Sequence, residues 1–383
     1  MKVWGYFTRQ GKENKQECDK IFLITVILLT LYGSIMVFTS GYAYASFRYG
    51  DAYYFIKRQV IWVALGFIIM ALVSRCKVTL FKKISWQLYV ITLALLILTL
   101  LVGFVGNGAK RWISVGPITI QPSEIAKLSI VMMLSWYFDK NEQSALNSKN
   151  GRQSFIYGTL LPFMIMLVPI LLVMLQKHLS CIIILGLISL LLITMSGINL
   201  KYITAFVLSC IGGASYIAFF TDYTKDRITV WQNPEGYKLT GGWQTLQGLM
   251  AIGSGGLFGK GLGNGELKHC YVSEPANDMI FAILCEELGF VGAILALLLF
   301  GILIYRGFAI GFACTNIYER LLCIGISTKI AIQTLLNVAV VTNTIPNTGI
   351  SLPFFSYGGS SLLMLFIEMG IILSISKTVS IRR

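Results

Sequence analysis

The chain has 383 residues, of which 56% are hydrophobic and 13% are charged, and its formal net charge is +14. Soluble domains carry about 25% charged residues, so this composition excludes an ordinary soluble globular protein and indicates a polytopic membrane protein. Because Lys and Arg accumulate in the cytoplasmic loops of such proteins, the positive charge predicts no nucleic-acid partner. The eight cysteines form no CxxC pair, so neither a disulfide framework nor a zinc site is expected.

The predicted fold is all-α, with about ten transmembrane helices of about 20 mostly apolar residues each. In chain order the candidate spans are 21–40, 56–74, 85–105, 123–138, 155–175, 178–197, 201–220, 278–305, 321–344 and 358–377. The first apolar run is longer than the roughly 7–15 residues of a signal-peptide core, so no cleavage is expected. The fourth span is short and carries two charged residues, which makes it the weakest of the ten.

The distribution of Lys and Arg predicts the orientation of these spans. With a cytoplasmic N-terminus, the inner segments hold 18 of these residues and the outer segments hold 11. Positive charge in short loops favours the cytoplasmic side, so both termini are expected inside a multi-pass protein of the cytoplasmic membrane. The predicted units are a cytoplasmic segment 1–20, spans 1–7 within 21–220, an extracytoplasmic loop 221–277, spans 8–10 within 278–377 and a cytoplasmic tail 378–383.

The glycine-rich stretch GSGGLFGKGLGNG, Gly253–Gly265, does not fit a nucleotide-binding loop. The P-loop pattern requires G-x-x-x-x-G-K-[ST], whereas Ser254 stands five residues before Gly259 and Gly261 follows Lys260. We therefore interpret the stretch as a tightly turning loop that needs positive φ angles at several positions. An anion-binding nest formed by its amides is the alternative reading.

Charged residues gather on the predicted outer side of the chain. In GAKRWISVGPITIQPSEIAK, Lys110 and Arg111 lie outside against the general bias, and Glu124 and Lys127 share one helix face at i,i+3 spacing. A structural ion pair and a role in a polar cavity are equally compatible with that spacing, because paired charges within a membrane tend to face cavities. Arg58 opens the second span, where a side chain that reaches for the interface is the simpler interpretation.

Three acidic residues stand at or near the start of the predicted eighth span. On an ideal helix Glu286 lies about 80° around from Asp278 and Glu287 lies nearly opposite, both about 12–13 Å deeper. The two glutamates are therefore expected to serve packing or a polar network, separately from Asp278. The residues alone leave two roles open for Asp278: a helix N-cap, or a general base at the mouth of a cavity.

The last outer segment, PNTGISLPFFSYGGSS, combines two prolines and three glycines with hydroxyl side chains that include Ser356 and Tyr357. This composition predicts a re-entrant or loop element. Irregular backbone at membrane depth is tolerated only where protein or water covers it, so the segment indicates a polar cavity that opens outward.

Three long motifs resemble the SEDS family (shape, elongation, division and sporulation), and within it the FtsW and SpoVE branch. They are GAKRWISVGPITIQPSEIAKLS, WQTLQGLMAIGSGGLFGKGLGNGELKHCYVSEPANDMIFAILCEELGFVGA and IPNTGISLPFFSYGGSSLL. The resemblance runs from the first span to the last. It implies a ten-span peptidoglycan glycosyltransferase that polymerises lipid II outside the cytoplasmic membrane, together with a class B penicillin-binding protein transpeptidase and the division or sporulation machinery.

The resemblance also implies roles for individual residues. The essential acid of the family falls on Asp278, the Glu and Lys of the central signature fall on Glu124 and Lys127, and the loop Lys and Glu fall on Lys268 and Glu274. The sequence departs from the family at YVSEP, where members commonly show Tyr-Leu-Pro-Glu, and at QKHLS, where many show Gln-Pro-Asp-Leu-Gly. Neither departure changes Asp278.

The expected mechanism uses Asp278 to take the proton from the 4-hydroxyl of the acceptor sugar. One base without a carboxylate nucleophile suits inversion at the anomeric carbon. Cations must offset the charge that develops on the leaving pyrophosphate, and the candidates are Arg58, Lys110, Arg111, Lys127 and Lys268. Ser356 and Tyr357 complete the predicted substrate-binding set. No metal ligands are recognised and no cofactor is implied with certainty, although a divalent cation could share the task of the cations.

Two other functions remain compatible with the sequence. A lipid II flippase or other transporter would also explain charged residues inside spans, and it would make those charges more important than Asp278. A non-catalytic scaffold for the division machinery would tolerate Asp278→Ala and would depend on surface contacts.

Overall fold

The structure is a computed structural model that describes residues 18–106, 109–116, 118–141, 155–196, 222–239 and 241–379. The described residues form eleven α-helices and one small sheet. The helices are α1 (Lys20–Tyr49), α2 (Tyr54–Val73), α3 (Val78–Val102), α4 (Pro122–Lys140), α5 (Leu161–Leu175, preceded by a π-helical turn Ile156–Leu160), α6 (Leu179–Met195), α7 (Asp222–Gln232), α8 (Trp243–Gly255), α9 (Ile280–Ala313), α10 (Ile317–Val341) and α11 (Gly359–Ser376).

Seven helices in the described part of the chain are long and apolar enough to cross a membrane: α1, α2, α3, α5 with its π-helical turn, α9, α10 and α11. Helix α6 is apolar but has only 17 residues, and α4 is shown as a 19-residue helix. The predicted span 201–220 lies outside the described residues. The helical, multi-pass architecture predicted from the sequence is therefore present.

Several helices extend beyond the apolar runs that predicted them. Helix α1 begins at Lys20 because the Asp19 side chain accepts a hydrogen bond from the amide of Phe22 at 2.8 Å. It continues past residue 40 to Tyr49, where Gly50 ends it with a left-handed φ of 69°. A helix end is set by such caps rather than by the end of the hydrophobic run, so the predicted boundary at residue 40 was too early.

A three-stranded antiparallel sheet lies between α3 and α4, so the described fold is mostly rather than entirely helical. The sheet has the order β1 (Phe104–Gly106), β2 (Ala109–Val115) and β3 (Ile118–Ile120). Gly116 adopts a φ of 61° between the last two strands, a conformation that glycine reaches without a steric penalty. The alternating residues of AKRWISV were a strand signal that the expectation of an all-α fold passed over.

Helix α9 is broken at Gly289, which has φ 66° and ψ −163°. The break leaves the carbonyls of Glu286 and Glu287 without helical partners, and the loop amides of Lys260 and Gly261 donate to them, both at 2.9 Å. On the other side of the break, the amide of Phe290 donates to the glycine-rich loop, as does that of its neighbour. The loop therefore replaces the lost helical hydrogen bonds, as a buried helix break requires.

The glycine-rich stretch differs from its sequence prediction only in where the loop begins. Its first three residues still belong to α8, and positive φ angles follow at Gly256, Gly259, Gly261 and Gly263. The prediction of repeated positive φ angles is confirmed. Helix α8 packs closely on α9, because a Cβ at Gly255 would lie only 1.9 Å from the carbonyl oxygen of Cys285.

The segment between α10 and α11 is irregular and folds into the protein, as the sequence predicted. Phe354 and Phe355 are buried, and a Cβ at Gly33 of α1 would lie 2.2 Å from the carbonyl oxygen of Phe354. Helices α10 and α11 are the most buried of the long apolar helices, whereas α2 is mostly exposed on the surface of the bundle. The closing segment, residues 342–358, therefore lies over the centre of the helical bundle.

Candidate functional site

Asp278 lies in the turns before α9, just outside the membrane-spanning helix. The N-cap of α9 is Met279, and no side chain caps this end, so the N-cap role left open by the sequence is wrong. The Asp278 residue is partly exposed, and its Oδ2 accepts a hydrogen bond from Gln244 Nε2 at 3.3 Å. Its Oδ1 is buried and has no hydrogen-bond partner among the described residues. One carboxylate oxygen thus has no side-chain partner, although the backbone of Asp278 and Met279 lies close to the carboxylate.

The surroundings of Asp278 make its carboxylate unusually basic. The pKa of Asp278 is raised to about 7, mainly by burial and also by the nearby Glu274 carboxylate, while hydrogen bonds from Gln244 and from the backbone of Asp278 and Met279 oppose the shift. A general base works best when its pKa lies near the operating pH. Asp278 therefore has the protonation behaviour that its proposed role requires.

The backbone on both sides of Asp278 is held by the closing segment and by α10. Ser356 Oγ donates to the carbonyl of Asn277 at 2.7 Å, and the amide of Tyr357 donates to the carbonyl of Ala276 at 2.8 Å. Asn337 Nδ2 donates to the carbonyl of Asp278 itself at 2.9 Å. Two of the predicted residues, Ser356 and Tyr357, thus bind the backbone next to Asp278 directly.

Asn337 was not predicted from the sequence. Its Nδ2 also donates to the carbonyl of Ile350 at 2.6 Å, so one amide joins Asp278 to the closing segment. A buried asparagine within an apolar helix is costly unless it is hydrogen-bonded, and this could have served as a signal. Gln244 was missed as well, because nothing in the local sequence shows that α8 approaches Asp278.

Arg58 stands at the edge of this site. Its guanidinium lies 4.2 Å from the ring centroid of Tyr54, and its side chain forms a hydrogen bond with that of Tyr357. Tyr357 in turn packs edge-on against Phe55, with ring centroids 4.8 Å apart. Arg58 is exposed, so its cation is held near the Asp278 segment and is open to a ligand.

Glu124 and Lys127 form a buried ion pair with an Nζ–Oε1 distance of 2.7 Å. Lys127 also donates to Gln333 at 3.4 Å, and Gln333 donates to the carbonyl and hydroxyl of Ser351 in the closing segment at 3.0 and 3.1 Å. The intramembrane pair is therefore connected through α10 to the segment that holds Asp278.

A second intramembrane pair, between Lys329 of α10 and Glu368 of α11, was not predicted. Its Nζ–carboxylate distances are 2.7 and 2.8 Å, and both side chains are buried. Lys329, Glu124 and Ser356 line a common cavity of about 20 Å³, which has room for roughly one water molecule. Two of the buried charges and the closing segment, which holds the backbone beside Asp278, thus border the same small cavity.

Lys110 and Arg111 lie on β2, on a different element from Asp278. Lys110 is exposed, and Arg111 Nη2 donates to the carbonyl of Lys177 in the turn between α5 and α6. Arg111 also carries positive charge close to His178. The described contacts of Arg111 therefore secure the sheet against that turn.

Lys268 is buried in the outer loop and pairs with Glu287 at 2.6 Å. It also donates to the carbonyl of Gly263 at 2.6 Å, while Glu286 pairs with Lys260 at 3.2 Å. Both glutamates therefore belong to a polar network with the glycine-rich loop, as expected, and not to a cluster with Asp278. Lys268 holds the loop in this structure.

Glu274 lies close to Asp278, as its effect on the pKa of that residue shows. It has a φ of 55° and accepts a hydrogen bond from Asn277 Nδ2 at 2.5 Å. Within the described ranges, no group of three or more His, Cys, Asp and Glu residues is placed to hold a metal ion.

Comparison with known proteins agrees with this fold and these motifs. The profile of the FtsW/RodA/SpoVE family, described as cell cycle protein, matches residues 19–381. The chain belongs to this family. The resemblance to SEDS proteins that the three sequence motifs indicated is therefore confirmed.

Relatives match this family member over nearly its whole length. Stage V sporulation protein E of Bacillus subtilis is 36% identical over 365 residues, which cover 95% of this chain and 98% of that protein. The probable peptidoglycan glycosyltransferase FtsW of Geobacter sulfurreducens is 32% identical over 361 residues, covering 94% of this chain and 95% of the relative.

Solved structures show the same fold. A chain from a study of polymerisation and crosslinking by a peptidoglycan synthase complex has a TM-score of 0.77 at 23% identity, covering 94% of this chain and 98% of that chain. The rod shape determining protein RodA of Thermus thermophilus has a TM-score of 0.69 at 24% identity, covering 94% and 97% of the two chains.

Proposed function

We propose that this FtsW/RodA/SpoVE family member is a peptidoglycan glycosyltransferase that polymerises lipid II into β-1,4 glycan strands at the outer face of the cytoplasmic membrane. The observation that carries the proposal is the Asp278 carboxylate, whose Oδ1 has no side-chain partner and whose pKa is raised to about 7, just before the apolar helix α9. The activity named for the FtsW relative and the three matched motifs support the same reaction.

In this reaction Asp278 accepts the proton of the acceptor sugar's 4-hydroxyl. The oxygen attacks the anomeric carbon of the lipid-linked donor, the bond from that carbon to the pyrophosphate oxygen breaks, and undecaprenyl pyrophosphate leaves with the bonding electrons. A direct displacement inverts the anomeric carbon and needs a single base. The energy is already stored in the donor, so no nucleotide is required, in keeping with the failed P-loop pattern.

Cations must stabilise the pyrophosphate as it leaves. Arg58 is the first candidate, because it is exposed and is joined to the Asp278 segment through Tyr357. Lys110 is also exposed, whereas Lys127 and Lys268 already neutralise buried glutamates. We therefore assign substrate contact to Arg58 and Lys110, and we assign maintenance of the site to Lys127 and Lys268.

The remaining predicted residues shape the site in this proposal. Glu124 neutralises Lys127, Glu274 raises the basicity of Asp278, and Ser356 holds the backbone beside it. Arg111 orients the sheet that carries Lys110. A divalent cation that accompanies the pyrophosphate would add to the positive charge of Arg58.

The proposed topology has the segment 1–20 and the tail 378–383 in the cytoplasm and the loop 221–277 outside. This arrangement puts Asp278, at the end of that loop, on the side where lipid II is polymerised. A class B penicillin-binding protein is the proposed transpeptidase partner, for division or for sporulation. The likeness to a chain of a peptidoglycan synthase complex is consistent with such an assembly.

The buried charges favour polymerisation over transport. In the described part of the bundle, Glu124 is paired with Lys127 and Glu368 with Lys329, and the cavity bordered by Glu124 and Lys329 measures only about 20 Å³. A flippase needs a path for a whole headgroup, which is at least the several hundred cubic ångströms of an ordinary ligand pocket.

The experiment is polymerisation of labelled lipid II by the purified protein with its transpeptidase. We compare the wild type with Asp278→Asn and with Asp51→Asn, a matched control on an exposed aspartate that pairs with Lys57. The expected result is glycan chains from the wild type and Asp51→Asn and none from Asp278→Asn. Polymerisation by Asp278→Asn at the wild-type rate would exclude Asp278 as the base, and lipid II transport without chains would favour the flippase.

A further inference from the structure

An open groove of about 270 Å³ lies beside the Asp278 site, between the outer end of α1 and the loop that follows the glycine-rich stretch. Half of the residues that line it are aromatic, and one is a cation. The residues that define this aromatic groove are Tyr44, Phe47, Arg48, Trp243, Cys270, Tyr271, Val272 and Ser273.

Two chain junctions connect the aromatic groove directly to Asp278. Trp243 lines the groove, and the next residue, Gln244, donates a hydrogen bond to Asp278. Ser273 lines it as well, and the next residue, Glu274, interacts with the Asp278 carboxylate. Two residues that line the groove are therefore neighbours in sequence of residues that act on Asp278.

Three of the four aromatic rings at the groove are exposed rather than packed against other rings, whereas Tyr44 stacks on Phe55. Phe47 is 80% exposed, Tyr271 is 52% exposed and Trp243 is 41% exposed. None of the three stacks on another ring among the described residues, in contrast to Tyr49, which stacks on Tyr54 with centroids 3.9 Å apart. Open ring faces beside a reactive centre are available for a flat, partly apolar ligand.

The groove is also held in shape before any ligand arrives. The indole Nε1 of Trp243 donates to the backbone carbonyl of Tyr271 at 2.8 Å, which fixes the indole relative to the backbone of the opposite wall. Cys270 and Glu274, at the two ends of this wall, have positive φ angles of 67° and 55°. Non-glycine residues persist in such conformations only where the surrounding structure enforces them, and they cluster at ligand sites.

We propose that the aromatic groove is a saccharide-binding subsite, which holds the sugar ring next to the one that reacts at Asp278. Pyranose rings present apolar C–H faces that pack on aromatic side chains, and the volume lies near the lower end of the roughly 300–1,000 Å³ of small-ligand sites. Arg48 at the groove is a cation whose guanidinium can donate hydrogen bonds to sugar hydroxyls or to the amide carbonyls of the sugar substituents. This inference rests on the proposed glycosyltransferase function. It identifies the place where the protein holds the glycan during that reaction.

The test is calorimetric titration of the purified full-length protein with a soluble tetrasaccharide of alternating N-acetylglucosamine and N-acetylmuramic acid. Phe47→Ala and Phe258→Ala form a matched pair, because both side chains are 80% exposed and only Phe47 lines the groove. Trp243→Phe, which keeps an aromatic ring, and Trp243→Ala form the second pair.

We expect Phe47→Ala and Trp243→Ala to weaken tetrasaccharide binding roughly 3- to 10-fold, with Phe258→Ala unchanged. Trp243→Phe should fall between the wild type and Trp243→Ala, because phenylalanine keeps a ring but cannot donate to the Tyr271 carbonyl. In lipid II polymerisation, Phe47→Ala should make shorter glycan chains than the wild type. Chain formation by this variant should still require Asp278. Equal affinity in wild type and Phe47→Ala, or no binding by the wild type, overturns the saccharide subsite.

Three further outcomes separate the possible failures. If the wild type polymerises lipid II while the groove variants change neither chain length nor tetrasaccharide affinity, the subsite is wrong and the polymerase stands. If Phe47→Ala instead loses the transpeptidase during co-purification with its saccharide affinity intact, the groove is a partner surface and the proposal fails. If the wild type binds the tetrasaccharide but makes no chains, the proposed polymerase function fails.

Discussion

The buried pair between Lys268 and Glu287 allows a quantitative test of how the outer loop supports the site. Both side chains are almost completely buried, with Nζ and Oε1 2.6 Å apart. Lys268→Met removes the cation and leaves the Glu287 carboxylate with one described hydrogen bond, from the amide of Gly263 at 3.0 Å. The variant therefore isolates the cost of an unpaired charge behind the glycine-rich loop.

Removing one partner of a buried ion pair costs about 3–5 kcal/mol, because the other charge stays desolvated. The remaining Gly263 amide offsets part of this loss, so we expect about 3 kcal/mol for Lys268→Met. Adding Glu287→Met should recover about 1–3 kcal/mol, because apolar side chains of similar volume often replace such pairs without cost. Gly263 is exposed, so water can satisfy its freed polar groups.

The assay is thermal unfolding of the purified protein in detergent, as the fraction that stays monodisperse after heating. Lys57→Met is the matched control, because the Lys57–Asp51 pair is exposed and such pairs contribute about 0–1 kcal/mol. The expected order of stability is wild type and Lys57→Met, then the double variant, then Lys268→Met. A double variant no more stable than Lys268→Met would refute the reasoning that the unpaired charge is what destabilises.

Two further predictions concern the helix break and the acid. Gly289→Ala should destabilise the protein by at least about 2 kcal/mol, because its Cβ would lie 2.3 Å from the amide nitrogen of Gly259 at a φ of 66°. The control Gly301→Ala, with open space around it in the same helix, should be neutral in the same thermal assay. Burial raises the pKa of Asp278 to about 7, so the wild type loses stability as the pH rises from about 4, the unfolded value, to about 7. Asp278→Asn should therefore be more stable than the wild type at pH 8 and lose this advantage near pH 4; an equal difference at both pH values would contradict the shift.

The sequence predicted the parts of this protein that depend on hydrophobic length. The spans that became α2, α10 and α11 were placed within a few residues, because an apolar run long enough to cross a membrane has few alternatives. It did not predict the sheet between α3 and α4, whose strands are short and flank a turn. It also did not predict the end of α1, because that end is set by the cap at Gly50 and not by the hydrophobic run.

From the sequence, Asp278 could be predicted as a single site residue, whereas the contacts between site residues on different helices could not. Asp278 stood out as an acid at the threshold of a span. The contacts of Gln244 and Asn337 with it depend on how α8 and α10 pack, and no local pattern encodes that packing. For the same reason, Lys268 was predicted as a ligand for pyrophosphate, although its partner in the fold is Glu287.

The measurement that tests the central claim most directly is the pH dependence of kcat/KM for lipid II polymerisation, from about pH 5.5 to 8.5. This quantity reports the protonation of the free enzyme's base. If Asp278 is that base, kcat/KM rises with pH through a midpoint near its pKa of about 7, and Asp278→Asn makes no chains at any pH. A flat profile, or the wild-type profile retained in Asp278→Asn, would contradict the account.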